Sequence, residues 1–210
     1  MVSPRACEIL DNAVMTSQSN KTDVTAVILA GGRGSRMLGL DKGLLQYGEK
    51  LFYQHLADAL TEQCDRVIIN ANRNLDQYKS YGLDVIPDPL NDFQGPLAGI
   101  LAGLRACETT WLVTVPCDGP FIDEQYVKIM KSAIATSQSQ CGVAFDGERQ
   151  QPVYLMLEKS LTQSLENYLS EGQRKIDRWY KNLSYTEVDF AGRDKMFFNV
   201  NTPEQLQSLS

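Results

Sequence analysis

A glycine-rich turn is the first feature of the sequence that could bind a ligand. Gly31, Gly32 and Gly34 come directly after Val24–Leu29, a short apolar run rich in β-branched residues. Such a run predicts a buried strand, and glycines at its end let the backbone bring its N–H groups close to an anion. Because open α/β sheets bind ligands beyond the carboxyl ends of their strands, the turn is a candidate phosphate-binding loop. A tight turn without a ligand is the alternative.

Two basic residues follow this turn and could reach a phosphate bound there, namely Arg36 and Lys42. The turn is not a P-loop, since no Gly-Lys-Ser/Thr follows at the required spacing. It is not the dinucleotide-binding fingerprint either, because Met37 stands where the third glycine is needed. A locally basic segment in a chain of net charge −6 indicates a small anionic ligand, whereas nucleic acids and anionic membranes are poor partners for such a chain.

An aspartate after a later apolar run could hold a metal ion. Asp118 lies between Pro116 and Pro120, just past the predicted strand Trp111–Val115. Mg²⁺ usually takes one or two carboxylates together with substrate phosphates and water, so one well-placed aspartate is sufficient. A turn aspartate bonded to its own backbone is the alternative. We expect Asp118 and the glycine turn to meet at one edge of the sheet and to form a single triphosphate–magnesium pocket.

Further polar residues close other predicted strands. Asn70 and Asp88 end the second and third strands and could meet a base or a ribose, although both types are common at strand ends for turn reasons alone. His55 is the only histidine, so the sequence offers few residues for catalysis by a Ser-His-Asp triad or a Cys-His pair. Transfer between phosphates assisted by a metal needs no histidine, and Arg36, Lys42 and Asp118 are the candidate catalytic residues.

The predicted elements alternate between strands and helices, which indicates an α/β fold with a parallel sheet. We expect one domain over residues 24–210, preceded by a flexible extension over residues 1–23. The last helix has a clear start signal, with Thr202 as N-cap, Pro203 in the first turn and Gln205 completing a capping box. The predicted strands are Val24–Leu29, Arg66–Asn70, Leu83–Ile86, Trp111–Val115, Gly142–Phe145, Pro152–Leu157, Tyr185–Asp189 and Phe197–Val200. The helices predicted before the last one are Leu51–Glu62, Leu75–Ser80, Gly95–Cys107 and Phe121–Thr136.

Cysteine usage and hydropathy predict a cytoplasmic protein. The cysteines are five, widely spaced and without a Cys-x-x-Cys pair, which argues against a zinc site or a thioredoxin-like motif. Free thiols are typical of a reducing compartment. No stretch of the sequence is long and apolar enough to span a membrane.

Several segments in this order resemble those of the molybdenum cofactor guanylyltransferases. Leu29 to Met37 followed by Asp41-Lys42-Gly43 is similar to the signature of nucleotide-sugar-type nucleotidyltransferases in general. The match is narrowed by Asn70-Ala71-Asn72-Arg73, Asp92 to Gly99, Pro116-Cys117-Asp118, Gly147-Glu148-Arg149 and Asn199 to Glu204. The resemblance runs from about Thr25 to Leu209.

The resemblance implies a Rossmann-like three-layer sandwich with a mostly parallel central sheet, of the nucleotide-diphospho-sugar-transferase type. It implies transfer of GMP from GTP to molybdopterin with release of pyrophosphate, with Mg²⁺ as cofactor. By similarity, GTP would be bound by Leu29, Ala30, Gly31, Gly32, Lys42, Asn70, Asp88 and Asp118, Mg²⁺ by Asp118, and the acceptor by Arg149, Arg174, Asn199 and Asn201.

The resemblance leaves other functions and the partners open. A cytidylyl- or other nucleotidyltransferase of the same fold would differ only in base choice, which Asn70, Asp88 and the loop backbone must settle. A nucleotide-binding switch or GTPase without transfer activity, and a non-catalytic module that has kept the fold, are further alternatives. Molybdenum-insertion proteins and molybdoenzyme apoproteins are the implied protein partners, and a monomer is the default because no apolar interface stripe stands out.

Overall fold

The computed structural model describes residues 22–32, 41–89 and 95–208 of the chain. Residues 1–21 of the predicted extension, which covers residues 1–23, lie outside this described part. The last two residues of the extension are hydrogen-bonded to the domain, since the amides of Thr22 and Asp23 both donate to the carboxylate of Asp65. The strands of the described part are β1 Val24–Leu29, β2 Gln46–Tyr47, β3 Lys50–Leu51, β4 Arg66–Asn70, β5 Asp84–Ile86, β6 Trp111–Pro116, β7 Cys141–Phe145, β8 Gln150–Glu158 and β9 Tyr185–Asp189.

A seven-stranded, mostly parallel sheet forms the centre of the fold. Its strand order is β5-β4-β1-β6-β8-β7-β9, and β2 with β3 makes a separate short hairpin. Neighbouring strands run parallel except at β8, which is antiparallel to both β6 and β7. Parallel neighbours need crossover connections, and helices supply them in this chain. The helices are α1 Phe52–Thr61, α2 Leu75–Lys79, α3 Pro96–Ala106, α4 Tyr126–Ser137, α5 Thr162–Ser170, α6 Ile176–Tyr180 and α7 Pro203–Gln207.

The helices cover both faces of the sheet and bury a core on each. Strand β1 shows why, because Ala26 and Ile28 pack into one core and Val27 into the other, as expected for a strand buried on both sides. The first core contains side chains of α1, α2 and α4, and the second contains side chains of α3, α5 and α6. The predicted three-layer α/β sandwich with a mostly parallel sheet is therefore confirmed.

The predicted elements before Pro116 agree with the structure to within one residue at each end, but two later predictions are wrong. The helix predicted from Phe121 begins only at Tyr126. The carboxylate of Asp123 accepts a hydrogen bond from the amide of Gln125 at 2.8 Å, and this local turn competes with a helix.

The predicted strand Phe197–Val200 is the second error. Its first residue ends a 3₁₀ helix, Asp194–Phe197. The rest lies against the end of β6, where the amide of Val200 donates to the main-chain oxygen of Asp118 at 2.7 Å. A single hydrogen bond of this kind, made just beyond the end of β6, does not add a strand to the sheet. The predicted capping box of the last helix is confirmed, with Thr202 as N-cap and Gln205 as its partner.

No helix in the described part of the chain combines the length and the apolar character needed to cross a lipid bilayer.

Candidate active site

The carboxyl ends of four parallel strands lie side by side at one edge of the sheet. Leu29 at the end of β1 is in register with Asn70 on β4 and with Pro116 on β6, and Asn70 is in register with Ile86 on β5. The amide of Cys117 donates to the carbonyl oxygen of Leu29 at 3.2 Å. The first glycines of the turn and the Asp118 segment thus converge, as the order of the strands predicts.

Two adjoining cavities open at this edge. They have volumes of about 290 and 220 Å³ and share Leu29, Gly32 and Pro116. The larger one, here called the base cleft because Asn70 and Asp88 are expected to meet a base there, is lined among the described residues by Leu29, Gly31, Gly32, Asn70, Asp88, Gly95, Pro96, Pro116 and Val153. The smaller one, here called the phosphate cleft because Lys42 is expected to reach a phosphate there, is lined among the described residues by Leu29, Ala30, Gly32, Asp41, Lys42, Pro116, Cys117 and Asp118.

Lys42 and Asp118 both line the phosphate cleft, and Lys42 also contacts the segment that precedes α7. The ammonium group of Lys42 donates to Oδ1 of Asn201 at 2.6 Å. The close approach of this segment depends on Gly119, where a Cβ atom would lie only 2.4 Å from the carbonyl oxygen of Phe198. Burial raises the pKa of the Asp118 carboxyl, and the nearby charge of Lys42 offsets part of that rise.

Two buried side-chain oxygens on neighbouring segments could serve as ligands of a divalent cation. Oδ1 of Asp118 and Oδ1 of Asn199 are both buried, and neither has a hydrogen-bond partner among the described residues. They belong to segments joined by the hydrogen bond between Val200 and Asp118. Carboxylate and amide oxygens are ligands that Mg²⁺ and Ca²⁺ accept, and a magnesium site needs only one or two from the protein when phosphates supply others. The described residues contain no cluster of three His, Cys, Asp or Glu side chains that could hold a metal by itself.

A hydrogen-bonded group that sequence reasoning missed holds the Lys42 turn in place. Both oxygens of the Asp41 carboxylate accept hydrogen bonds, one from the hydroxyl of Tyr78 at 2.7 Å and one from the side chain of Asn74 at 3.0 Å. Tyr78 is fully buried, and a Cβ atom at Gly43 would come within 2.5 Å of its hydroxyl oxygen. The turn that carries Lys42 is therefore fixed against α2, which lies more than 30 residues further along the chain. Nothing in the spacing of these residues indicated that contact.

The polar end of the base cleft is a carboxylate held by two amides. Asp88 accepts from Asn70 at 2.9 Å through Oδ1 and from Asn72 at 2.7 Å through Oδ2. Asn70 is buried, and its own oxygen faces α3, where a Cβ atom at Gly99 would lie 2.2 Å from it. Asn70 and Asp88 follow neighbouring strands at the same edge of the sheet, and their side chains are in direct contact.

The segment Asn70-Ala71-Asn72-Arg73 also supports the glycine turn. The amide of Ala30 donates to the carbonyl oxygen of Asn70 at 2.8 Å, and Arg73 donates to the carbonyl oxygen of Gly32 at 3.0 Å. Asn72 and Arg73 had no individual role in the sequence analysis. The motif Asn70-Ala71-Asn72-Arg73 points to this segment, but a motif does not say which of its side chains contacts a ligand and which contacts another residue.

Substituting Gly99 should damage the base cleft more than the fold. In Gly99→Ala the new methyl group would meet both Asn70 and Leu29, so Asn70 must move and release Asp88. We expect the KM for the triphosphate to rise about 10-fold, the equivalent of losing one or two hydrogen bonds. Gly103→Ala, one turn later on α3, is the matched control, because its methyl group would press on Val27 in the core. It should lower the Tm and leave that KM unchanged, and equal KM values for the two variants would contradict the assignment of Gly99.

The remaining predicted site residues are placed less centrally or lie outside the described part. Arg36 lies outside the described residues. Arg149 is exposed on the turn between β7 and β8, 3.9 Å from Asp146, and Arg174 donates to the carbonyl oxygens of Leu169 and Gln173. Neither arginine is among the described residues that line the two clefts.

Comparison with known proteins places this fold and site in a family. Residues 26–187 match the family model of the MobA-like NTP transferase domain. A molybdenum cofactor guanylyltransferase of Shewanella piezotolerans is 41% identical over 187 residues, covering 89% of this chain and 92% of that protein. A molybdenum cofactor guanylyltransferase of Cupriavidus metallidurans is 43% identical over 192 residues, covering 89% of this chain and 94% of its own length.

The fold agrees with a solved structure as well. The crystal structure of molybdopterin-guanine dinucleotide biosynthesis protein A from Archaeoglobus fulgidus superimposes with a TM-score of 0.70 at 21% identity, covering 89% of this chain and 96% of that one. The family model covers most of the chain, and the relatives are similar over nearly their whole lengths. The chain therefore belongs to the molybdenum cofactor guanylyltransferases, a family of nucleotidyltransferases with a MobA-like NTP transferase domain.

Proposed function

We propose that this protein transfers GMP from GTP to molybdopterin, forming the guanine dinucleotide form of the cofactor and releasing pyrophosphate. The observation that carries the proposal is the pair of adjoining clefts. One presents a fixed carboxylate at Asp88, and the other brings Lys42 and Asp118 together. A nucleotide that spans both clefts would place its base at Asp88 and its phosphates between Lys42 and Asp118.

The chemistry of Asp88 favours guanine over the other bases. An ionised carboxylate only accepts hydrogen bonds, and it can accept two side by side. Guanine carries two neighbouring donors, N1–H and the 2-amino group. Cytosine, uracil and adenine each offer a donor next to an acceptor on the corresponding edge, so a carboxylate leaves one of their groups unpaired inside the cleft, which is costly.

The phosphate cleft supplies charge for the transfer. We propose that Asp118, together with Asn199 from the segment bonded to it, holds Mg²⁺, which when bound would neutralise charge on the triphosphate and on the pyrophosphate that leaves. Lys42 would bind the phosphates as a positive point charge, and its turn is fixed by Asp41. Arg36 is proposed to assist at the same phosphates.

The reaction needs positioning more than a catalytic base. A phosphate monoester has a second pKa near ~6 and is largely ionised at neutral pH, so the acceptor phosphate can attack the α-phosphorus of GTP directly. The new bond joins the acceptor phosphate oxygen to the α-phosphorus, and the bond between the α-phosphorus and the bridging oxygen to the β-phosphate breaks. The electron pair leaves with pyrophosphate, and the protein has to align the groups in line and balance their charge.

The acceptor side remains a proposal based on family resemblance. Arg149, Arg174, Asn199 and Asn201 are proposed to face molybdopterin. For Asn201 the hydrogen bond to Lys42 supports a place next to the reacting phosphates. The buried oxygen of Asn199 has no partner among the described residues, and its neighbour Val200 is bonded to Asp118, which supports an additional role for Asn199 at the metal.

Domain organisation, compartment and partners also remain proposals. We propose a single domain over residues 24–210 and a cytoplasmic protein, the latter supported by free thiols at Cys64, Cys107, Cys117 and Cys141. We also propose a monomer, because no apolar interface stripe stands out in the sequence, and delivery of the product to molybdenum-insertion proteins or molybdoenzyme apoproteins, as the family resemblance implies.

The decisive test is which triphosphate is consumed when molybdopterin is present. GTP, CTP and ATP would be supplied separately with Mg²⁺, and release of pyrophosphate and formation of the dinucleotide would be measured. We expect turnover with GTP. A preference for CTP would replace the guanylyl assignment by a cytidylyl one, and release of free phosphate would indicate a hydrolase.

Removing the Lys42 ammonium group should weaken triphosphate binding. In Lys42→Ala we expect the Kd for GTP to rise about 10- to 100-fold, because a charge-assisted contact to phosphate is lost. Isothermal titration would measure it. Lys50→Ala is a suitable control, because Lys50 pairs with Asp58 on α1. This variant should bind GTP with the affinity of the wild type. An unchanged affinity in Lys42→Ala would contradict the role of Lys42.

A further inference from the structure

Asn72 has a side chain whose orientation is fixed by its partners. Its oxygen accepts a hydrogen bond from the main-chain N–H of Asp88 at 2.9 Å. A main-chain N–H can only donate, so the oxygen of Asn72 must face it and the NH₂ group must point the other way. That NH₂ group donates to Oδ2 of Asp88 at 2.7 Å. Asn72 therefore binds both the backbone and the side chain of the same residue.

The two amides that hold Asp88 are not equivalent. Asn70 donates to Oδ1 of Asp88 and shares its NH₂ group with the carbonyl oxygen of Ile86 at 3.3 Å. Asn72 is the partner of Oδ2 and also lies against the glycine turn, since a Cβ atom at Gly31 would come within 2.9 Å of its nitrogen. The last torsion angle of an aspartate side chain has a broad preference, so the tilt of the carboxylate plane depends on a donor at each oxygen.

We infer that Asn72 is a positioning residue that determines nucleobase specificity. It holds the Asp88 carboxylate at the tilt at which both oxygens are presented to the base. The inference rests on the proposed function, because it takes guanine as the base in the cleft. With Asn72 in place, one oxygen of Asp88 accepts from N1–H and the other from the 2-amino group of guanine. Without it, the carboxylate can rotate about its remaining bond to Asn70, and the second contact is lost first.

Inosine triphosphate (ITP) tests the contact between Asp88 and the 2-amino group separately. Hypoxanthine keeps N1–H and the 6-oxo group of guanine but lacks the 2-amino group. A hydrogen bond to a charged group is equivalent to about 10- to 100-fold in affinity. The wild-type protein should therefore favour GTP over ITP by about that factor in kcat/KM, with molybdopterin as acceptor and Mg²⁺ present.

The experiment compares the GTP-to-ITP ratio of kcat/KM in the wild type and in Asn72→Ala. We expect this ratio to fall to about 2- to 3-fold in the variant. The change should appear in the KM for GTP, while kcat stays nearly unaltered. Asn182→Ala is the control for amide removal, because Asn182 is exposed and its side chain bonds only to the carbonyl oxygen of Arg178 among the described residues. Asn72→Ser, a smaller change at the same position, would be used if the alanine variant does not fold, and the same fall in the ratio is expected.

The possible results separate this inference from the proposed function. If the wild type distinguishes GTP from ITP and Asn72→Ala keeps the full ratio, the role of Asn72 is wrong while the guanylyl function stands. If the wild type uses GTP and ITP equally, the 2-amino group is not bound at Asp88 and the inference also fails. If the wild type prefers CTP, the proposed function itself is overturned.

Discussion

The Asp118→Asn variant should lose nearly all transfer activity while becoming more stable at neutral pH. The side chain keeps its shape but loses the charge that would hold Mg²⁺, and a metal ion contributes several kcal/mol to the stabilisation of a transferring phosphoryl group. We expect turnover to fall by about 10³-fold or more. Release of pyrophosphate from GTP in the presence of molybdopterin would measure it.

The gain in stability follows from the burial of the Asp118 carboxyl. Its pKa in the folded protein lies above the ordinary value of an aspartate because burial disfavours the charged form. Between the unfolded-state pKa and the raised folded-state pKa, the native state binds more protons than the unfolded state, so stability falls as the pH rises. The cost of the buried charge is fully present above the folded-state pKa and absent below the unfolded-state pKa.

Thermal unfolding of Asp118→Asn can test this sign. At neutral pH and without divalent metal, a gain of about 1 kcal/mol would raise the Tm by about 2–4 °C, and the gain should vanish in acid. Added Mg²⁺ should stabilise the wild type but not the variant. Asp76→Asn, a change to an exposed aspartate in the first turn of α2, should leave the activity and the stabilisation by Mg²⁺ unchanged. Normal turnover in Asp118→Asn would remove the metal assignment, and a lower Tm would show that the carboxylate stabilises the fold.

The parts of the fold that could be predicted are those governed by local chemistry. β1 and β4 were recognisable because they are apolar, β-branched and followed by turn residues. Their parallel pairing followed from the alternation of strands and helices. The capping box at Thr202 was predictable because all its partners lie within four residues. The helix start at Tyr126 was missed because Asp123 satisfies nearby backbone groups in another way.

The candidate site was predictable to the level of strand ends but not of side-chain contacts. Asn70, Asp88 and Asp118 were found because each closes a predicted strand, and parallel strands end at the same edge. The bonds from Tyr78 to Asp41 and from Lys42 to Asn201 join residues 37 and 159 positions apart. Such contacts depend on how helices and loops pack across the sheet, and no spacing rule in a single sequence encodes them.

Asp88→Asn should convert the base preference from guanine toward xanthine. An amide offers one acceptor and one donor where the carboxylate offers two acceptors. Guanine would lose one hydrogen bond and face a second donor, so kcat/KM for GTP should fall about 10²- to 10³-fold, the equivalent of about 3–4 kcal/mol. Xanthine carries an oxo group in place of the 2-amino group, which matches the new amide. Use of XTP relative to GTP should therefore rise by at least about 100-fold.

The surroundings of Asp88 set a cost and a direction for this change. The introduced NH₂ group must point at a donor, either that of Asn70 or that of Asn72. Asn72 is fixed by the main-chain N–H of Asp88, whereas Asn70 makes a longer bond to Ile86, at 3.3 Å, that a reversed amide could give up. We expect the new NH₂ group to face Asn70, at a cost of about 1–2 kcal/mol in unfolding free energy.

Steady-state kinetics with GTP, XTP and CTP on the wild type and on Asp88→Asn would check the swap. Asp84→Asn is the matched control, because Asp84 pairs with Arg66 near the other end of β5 and should not alter base choice. A uniform loss of activity with all three triphosphates would mean that Asp88 supports the cleft without contacting the base. A gain in XTP use in Asp88→Asn but not in Asp84→Asn would instead mean that the base contacts the side chain at position 88. Only a direct contact changes the choice of base according to its pattern of donors and acceptors.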